Sequence, residues 1–398
     1  MIMISNSSPI RVSRIRHGIR GAIVLLSWVA VCLAPLFPAN AAQTPNAQAA
    51  PAPARIEDPF PEVVKKALRR AGRSYKADEY LVPDFLRDLN ESQWQSIRFK
   101  PEQALWQQQN SPFTLELYHP GFIYTRSVAI NLVTPSGIAP LNFSPEMFTY
   151  GNKALAEKVK QAPPGFAGFR VTPAAQASLP QDPLVSFLGA SYFRSSGKHA
   201  RPGLSARALA LNTALPGGEE FPYFREFWIV APAPEDTSLT VCALMDSPSM
   251  TGAFRYAITP GTSSVMDVEA RIFLRKNSAW PQKIGIAALT SMFLYSETGS
   301  IPPGEYRPEV HSSDGLLFRT GENAWSWSPL ANPARLAVNT FPLEDIRGFG
   351  LMQRDDNFDH YQDIEARFDR RPSAWVEPRS DWGPGRIELV EIPSTEEI

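Results

Sequence analysis

Residues 203–246 read GLSARALALNTALPGGEEFPYFREFWIVAPAPEDTSLTVCALMD. Within this stretch, residues 224–232 and 239–245 are short apolar runs with several aromatic and β-branched side chains, separated by a Pro-containing polar segment. Runs of this length and composition, bounded by turn residues, are typical of buried β-strands. The stretch therefore predicts a β-rich fold.

The same pattern continues along most of the chain after residue 110. Residues 263–275 alternate apolar with polar side chains, and with residues 253–259 they flank Pro260-Gly261-Thr262 as a predicted hairpin. Residues 113–119 and 122–134, which flank Pro120-Gly121, predict a second hairpin. Two more candidate strands are residues 335–341 and 386–392. The predicted fold class is all-β, a single large antiparallel β-sandwich.

A short helical segment precedes the strands. Residues 58–73 place Val64, Ala67 and Leu68 on one face, with Pro61 in the first turn and Gly72 at the end, which predicts a helix. Residues 83–97 predict a second helical piece.

Composition excludes some classes of function. The 398 residues carry a net charge of −1, and beyond the N-terminus the basic residues form no cluster, so nucleic acid is not an expected partner. There is no P-loop or dinucleotide fingerprint, and therefore no predicted cofactor. No HExxH or CxxC motif occurs and the five histidines are far apart, so no metal site is predicted.

The N-terminus resembles an export signal. Residues 1–42 contain four arginines, then an apolar run at residues 22–37, then Ala39-Asn40-Ala41 as a cleavage site. Residues 43–54, rich in Ala, Pro and Gln, predict a flexible leader. Removal of the signal would leave Cys242 as the lone cysteine, in an apolar setting. These features predict a periplasmic protein.

Carboxylates, arginines and aromatic rings occur together in several segments. Rings cover the apolar faces of sugars, while carboxylates and guanidinium groups bind hydroxyl groups. Trp325 and Trp327 share one face if they lie on a strand, and core packing is the alternative for both. Glu219 and Glu220 follow a glycine turn and either contact a sugar or pair with Arg207 or Arg225. The candidate carbohydrate-binding residues are Arg207, Glu219, Glu220, Tyr306, Arg307, Glu309, His311, Trp325 and Trp327.

Candidate catalytic residues are fewer. Asp314 lies in the polar segment at residues 305–316, a loop of the kind that carries function on a rigid sandwich, or a solvated turn. Asp363 and Asp369 lie near Trp375 and Trp382. No GxSxG motif supports a serine nucleophile.

Long motifs carry a family resemblance: FLGASYFR (187–194), residues 203–222, ALMDSPSMTGAF (243–254), YRPEVH (306–311), GFGLMQR (348–354), RRPSAWVEP (370–378) and IELVEIP (387–393). In these motifs the chain resembles the periplasmic glucan biosynthesis protein G and D family. The resemblance implies a β-sandwich like that of galactose mutarotase, followed in the family by an immunoglobulin-like domain that is expected to be absent here. It implies a glucan-binding domain at residues 55–398 and β-1,2-glucan as ligand.

Some family members resemble inverting β-1,2-glucanases, and this chain departs from their pattern. The position after His311 is Ser312 where the family has aspartate, and Phe368 replaces a tyrosine. The family's acidic residue past the IELVEIP motif would lie beyond Ile398. Because Ser and Phe supply no acid–base group near neutral pH, the expected function is glucan binding in osmoregulated glucan synthesis. The alternatives are a β-1,2-glucanase and a scaffold that docks on an inner-membrane glucan synthase.

Overall fold

Strands dominate the structure, a computed structural model that describes residues 2–5, 58–77, 79–174, 183–297, 299, 301–321 and 323–397. The strands are β1 (Ile2–Ser5), β2 (Arg98–Phe99), β3 (Phe113–Tyr118), β4 (Ala129–Thr134), β5 (Gly137–Pro140), β6 (Phe148–Thr149), β7 (Gly168–Pro173), β8 (Val185–Leu188), β9 (Tyr192–Ser195), β10 (Leu204–Leu211), β11 (Tyr223–Val230), β12 (Leu239–Asp246), β13 (Met250–Thr259), β14 (Val265–Leu274), β15 (Ile284–Ser291), β16 (Phe293–Tyr295), β17 (Val310–His311), β18 (Gly315–Thr320), β19 (Trp325–Pro329), β20 (Ala337–Leu343), β21 (Ile346–Met352), β22 (Ala374–Val376) and β23 (Gly385–Glu391). The α-helices are α1 (Phe60–Ala71), α2 (Asp84–Arg87), α3 (Glu91–Gln95), α4 (Lys153–Gln161) and α5 (Phe358–Tyr361). The predicted all-β class is confirmed.

Two large sheets enclose the main core. One has nine strands in the order β20-β23-β1-β15-β10-β9-β8-β7-β3, and the other has six in the order β14-β13-β12-β11-β4-β5. Apolar side chains from both sheets, among them Phe187, Phe227 and Tyr256, form the core between them. Burial of this apolar surface is the main favourable contribution to the stability of such a sandwich. Among the strands that the structure describes, the pairing is antiparallel except between β4 and β11, which are parallel.

A smaller sheet packs on one end of the nine-stranded sheet. It has four strands in the order β19-β18-β21-β22. Its inner side chains meet Ile387 and Leu389 of β23 in a second core. The inner residues of the small sheet are Leu316, Phe318, Phe349 and Leu351. Because side chains alternate along a strand, the residues between these four lie on the opposite, outer face.

Helix α1 is fixed to the six-stranded sheet by a group of buried charges. Asp246 at the end of β12 accepts hydrogen bonds from Arg70 of α1 (2.6 Å) and from Arg275. Arg275 also donates to the carbonyl oxygens of Arg70 (2.8 Å) and Arg73 (2.5 Å), so it satisfies free acceptors at the end of α1. Arg225 is fully buried, and its Nε lies 3.9 Å from Asp246.

The predicted elements agree with the structure in part. The hairpin predicted at residues 253–275 is confirmed as β13 and β14. The hairpin predicted at residues 113–134 is wrong, because β3 pairs with β7 in the nine-stranded sheet while β4 pairs with β5 and β11 in the six-stranded sheet. Pro120-Gly121 does begin a local turn, closed by the Gly121–Tyr124 bridge. The chain then crosses from one layer to the other.

The helical segment is shorter than predicted and is interrupted. Helix α1 confirms the helix predicted at residues 58–73, whereas residues 83–97 form two separate short helices, α2 and α3. Asn90 separates these two helices as the N-cap of α3, in a capping box with Gln93. Among the described helices, none is long and apolar enough to span a membrane.

The first strand lies inside the region predicted to be an export signal. Ile2–Ser5 pairs antiparallel with both β15 and β23. The rest of that signal and the leader predicted at residues 43–54 lie outside the described residues. Export through a signal therefore stays a prediction.

Candidate carbohydrate-binding site

Three tryptophans lie on the outer face of the four-stranded sheet. Trp325 and Trp327 of β19 are 56% and 38% exposed. Both rings therefore lie on the surface and are not packed in the core. Trp375 of β22 is half-buried, and its ring centroid lies 5.4 Å from that of Trp325 with an interplanar angle of 32°. We call these three residues the tryptophan face.

Glycines allow two of the rings to approach the backbone of the sheet closely. A Cβ atom on Gly315 would lie 2.3 Å from the ring of Trp327, and one on Gly348 would lie 2.4 Å from the ring of Trp375. Both distances are far below van der Waals contact. The bare backbone of β18 and β21 therefore supports the two indole rings at these positions.

The register of the strands sets the spacing of the rings. Trp327 pairs with Leu317, which pairs with Gly350, which pairs with Trp375, so these four residues form one row across the sheet. Adjacent strands lie about 4.8 Å apart, so the two tryptophans at the ends of the row are separated by about 14 Å along the backbone. That span is comparable to several sugar units.

Two arginines lie over the same rings. The guanidinium of Arg319 is 5.6 Å from the ring centroid of Trp325, and that of Arg354 is 5.0 Å from Trp327. Cations at this distance are attracted to an indole face. They also place hydrogen-bond donors beside the rings, where hydroxyl groups of a stacked sugar would lie.

A buried histidine and several carboxylates adjoin the tryptophan face. His311 of β17 is fully buried, and its Nε2 lies 2.7 Å from Oε2 of Glu309 and 3.8 Å from Oδ1 of Asp314. The ring of Phe293 stacks on the imidazole at 5.4 Å. Asp314 connects this group to the tryptophan face, because its Oδ2 accepts the backbone N–H of Arg354.

A second imidazole–carboxylate pair lies close to the first. Nδ1 of His360 is 2.5 Å from Asp355, and this hydrogen bond raises the pKa of His360. Burial raises the pKa of Tyr361 well above its usual value, and the charges of Asp314, Asp355 and Glu309 raise it further. We call Glu309, His311, Asp314, Asp355 and His360 the histidine–carboxylate cluster.

Arg307 is the centre of an adjacent ion-pair network. It binds Glu305 (2.6 Å), Asp363 (2.8 Å) and Glu397 (2.7 Å). The hydrogen bond from Arg307 lowers the pKa of Glu305 to about 2. Tyr306 next to it is 71% exposed, so its ring is available to a ligand.

Two predicted catalytic aspartates are held as carboxylates. Burial opposes ionisation of Asp363, but hydrogen bonds from the N–H of Ala366 and from Arg307 keep its pKa below the usual value. The hydrogen bond from Arg367 lowers the pKa of Asp369 in the same way. Groups in this state are poor general acids.

Arg207, Glu219 and Glu220 belong to different contacts. Glu219 accepts hydrogen bonds from Arg207 and from Thr213 (2.6 Å). The guanidinium of Arg207 also lies over the rings of Tyr192 (4.7 Å) and Phe221 (5.4 Å). Glu220 instead accepts from the N–H (3.0 Å) and hydroxyl (2.7 Å) of Ser249. The two glutamates thus have different partners. Glu219 pairs with Arg207, which is the alternative to sugar contact that the sequence leaves open.

Sequence reasoning missed part of the tryptophan face. In the sequence, Trp375 stands near Asp363 and Asp369, and Gly348 belongs to a family motif, so neither position by itself predicts a place on this face. The signal was present in GFGL at residues 348–351, where glycine alternates with apolar residues in a strand. Glycine at every second position leaves one face of a strand bare, which suits close approach of a ring or a ligand.

A protein-family model matches most of the chain. The family described as periplasmic glucan biosynthesis protein, MdoG, matches residues 59–398. These residues include the six-stranded sheet, the four-stranded sheet, the histidine–carboxylate cluster and every strand of the nine-stranded sheet except β1. This chain belongs to the periplasmic glucan biosynthesis protein family.

Proposed function

We propose that the protein acts in the periplasm, where it binds the β-1,2-linked glucose backbone of a glucan on the tryptophan face without cleaving it. The observation that carries the proposal is the pair of tilted rings of exposed Trp325 and half-buried Trp375, which lie beside exposed Trp327 on one sheet face. The family match supports a role in glucan biosynthesis. The linkage, the binding site and the absence of cleavage are the parts that we propose.

The chemistry of the face matches a glucose polymer. Each pyranose has apolar C–H faces that stack on indole rings, and a rim of hydroxyl groups that needs donors and acceptors. Arg319 and Arg354 supply donors beside the rings, and Glu377, which accepts from Nε1 of Trp375 (2.9 Å), fixes the orientation of that ring. A neutral ligand of this kind needs no excess charge on the protein.

Four side chains favour binding over hydrolysis. An inverting glycosidase needs a protonated acid and a base placed on opposite sides of the bond. Ser312 and Phe368 are both buried and have no acid–base group, while Asp363 and Asp369 are held ionised. The features of residues 1–42 support action in the periplasm.

We expect Trp325→Ala and Trp375→Ala each to weaken binding of linear β-1,2-glucan at least about tenfold, or about 1.4 kcal/mol, because each removes a stacking surface. Isothermal titration calorimetry with β-1,2-glucan, and with β-1,3-glucan as comparison, measures the change. Trp280→Ala is the matched control, since Trp280 is also 56% exposed. Equal affinity for both glucans, or an equal loss in all three variants, would contradict the proposal.

The same samples test cleavage. After incubation with the unmodified protein, the glucan should keep its length, as measured by assay of new reducing ends and by chromatography. Release of reducing ends at an enzymatic rate would instead support the glucanase alternative.

Gly348→Ala tests the geometry of the face without removing any ring. The added Cβ would meet the ring of Trp375 at 2.4 Å, so the ring must tilt away from the sheet. We expect glucan affinity to fall about as far as in Trp375→Ala, with a change in the free energy of unfolding below about 1 kcal/mol because the ring is partly exposed. Unchanged affinity would show that the position of this ring does not matter.

A further inference from the structure

The histidine–carboxylate cluster brings together side chains from two short segments of the sequence, residues 309–314 and 355–360. Ligand atoms of Glu309, His311 and Asp314 all lie within 4.8 Å of one another, and so do those of Glu309, Asp355 and His360. Glu309 is common to both groups, and it is 3% exposed. This cluster is not used by the tryptophan face or by any step of the proposed function.

The hydrogen bonds of Gln353 assign the tautomer of His311. The amide nitrogen of Gln353 donates to the hydroxyl of Tyr361 (2.8 Å) and to the carbonyl of Phe368 (3.1 Å). A backbone carbonyl can only accept, so the amide oxygen of Gln353 faces Nδ1 of His311 at 3.1 Å. Nδ1 therefore carries the proton, and in neutral His311 the lone pair is on Nε2.

That lone pair faces negative charge. Nε2 lies 2.7 Å from a carboxylate oxygen of Glu309 and 3.8 Å from one of Asp314. A lone pair and two carboxylates repel one another in a buried site unless a positive charge lies among them. Either a proton or a metal ion supplies that charge.

The neighbouring arginines are engaged elsewhere. Arg307 binds Glu305, Asp363 and Glu397, and the guanidinium of Arg354 lies over the ring of Trp327. The carboxylates of Glu309, Asp314 and Asp355 all act on the hydroxyl of Tyr361, and the imidazoles of His311 and His360 lie beside these carboxylates. The histidine–carboxylate cluster therefore contains three carboxylates and two imidazoles, and added positive charge would stabilise it.

We propose that Glu309, His311 and Asp314 bind one divalent transition-metal ion of the Zn²⁺ class, with Asp355 and His360 close to Glu309 beside the site. Imidazole nitrogen with carboxylate oxygens is a donor set that Zn²⁺ and its neighbours accept. Tetrahedral ligands of Zn²⁺ lie about 3.4 Å apart, so the 3.8 Å pair is near this spacing and the 2.7 Å pair opens by less than about 1 Å.

Gln353 then has a clear role. Histidine ligands of metals usually donate their second ring nitrogen to an oxygen acceptor, which fixes the tautomer and the ring orientation. The hydrogen bond from Nδ1 of His311 to Gln353 is this arrangement. The five histidines are widely spaced in the sequence, and the proposed site uses one of them with carboxylates two residues before it and three residues after it, so no histidine-based motif marks the site.

The experiment uses the full chain, freed of metal with a chelator and dialysed. Titration calorimetry with ZnCl₂ should show one bound equivalent, and CoCl₂ should give the visible absorption of a tetrahedral Co²⁺ site. Asp314→Asn, which keeps an oxygen for the N–H of Arg354, should weaken Zn²⁺ binding at least about tenfold, and so should the isosteric Glu309→Gln. His199→Asn is the control, because His199 is exposed and lies outside the cluster.

The outcomes separate the two explanations. Binding that is lost in Asp314→Asn and kept in His199→Asn supports the metal site. Zn²⁺ binding by the unmodified protein that is no stronger than in Asp314→Asn would overturn it, and the cluster would then hold a proton. Loss in His360→Asn without loss in Asp314→Asn would overturn the choice of ligands. Folding of each variant is checked by circular dichroism, and glucan affinity is measured separately.

Discussion

Asp246→Ala is expected to lower the free energy of unfolding by about 3–5 kcal/mol. The carboxylate is 1% exposed and lies among Arg70, Arg225 and Arg275, two of which donate hydrogen bonds to it. Removing it leaves buried guanidinium groups without their anion, and this loss costs more than the ion pairs themselves contribute. Urea unfolding followed by tryptophan fluorescence measures the change.

Asp267→Ala is the matched control for that change. Asp267 pairs with Arg379 on the surface, where the two side chains are 51% and 78% exposed, so its loss should cost less than about 1 kcal/mol. Because Asp246 also holds α1 to the sheet, limited proteolysis should cut the α1 region sooner in Asp246→Ala. Equal stability of the two variants would show that the buried group contributes little.

Acid should destabilise the protein through His119. Its ring is 3% exposed, Nδ1 donates to the carbonyl of Pro120 at 2.6 Å, and Nε2 is buried without a partner. Burial lowers the pKa of His119 from 6.5 to about 4. In the unfolded chain His119 binds a proton near pH 6.5, whereas in the folded protein it stays neutral until the pH falls to about 4. The contribution of neutral His119 to the free energy of unfolding is therefore complete above pH 6.5. It falls by about 3 kcal/mol as the pH drops to 4.

His119→Gln isolates this contribution from that of the carboxylates. The variant lacks the titrating ring, so the fall in its free energy of unfolding between pH 6.5 and 4 should be smaller than that of the unmodified protein by about 3 kcal/mol. The comparison uses the slope with pH, which is independent of any constant loss caused by the substitution. His199→Gln, at an exposed position, should keep the original slope, and parallel slopes in all three proteins would refute the assignment.

The sequence predicted the elements of the fold better than their partners. Apolar runs such as residues 239–245 are strands whichever sheet they join, so local pattern was sufficient to identify β12. The predicted hairpin of β3 and β4 is wrong because a turn at Pro120-Gly121 is compatible both with a hairpin and with a crossing of the chain from one sheet to the other. Which of the two occurs depends on long-range packing, which a local pattern does not contain.

The same limit applies to the site. Trp325 and Trp327 were identified because two-residue spacing on one strand guarantees a shared face. Trp375 and Gly348 join them only through the register of β21 and β22, and His311 meets Gln353 only through a contact between segments 42 residues apart. Residues that meet across strands carry no sequence spacing by which to recognise them.

The position of β1 links maturation to the architecture of the sheet. Ile2–Ser5 is hydrogen-bonded on both sides, to β15 and to β23, so these four residues join β20 and β23 to the other strands of the nine-stranded sheet. If they leave with an export signal, the edges of β15 and β23 are left facing each other about 9–10 Å apart. The amides on these edges must then either pair with each other or accept another strand. The exported protein would therefore complete its largest sheet only after the export signal, which contains β1, has been removed.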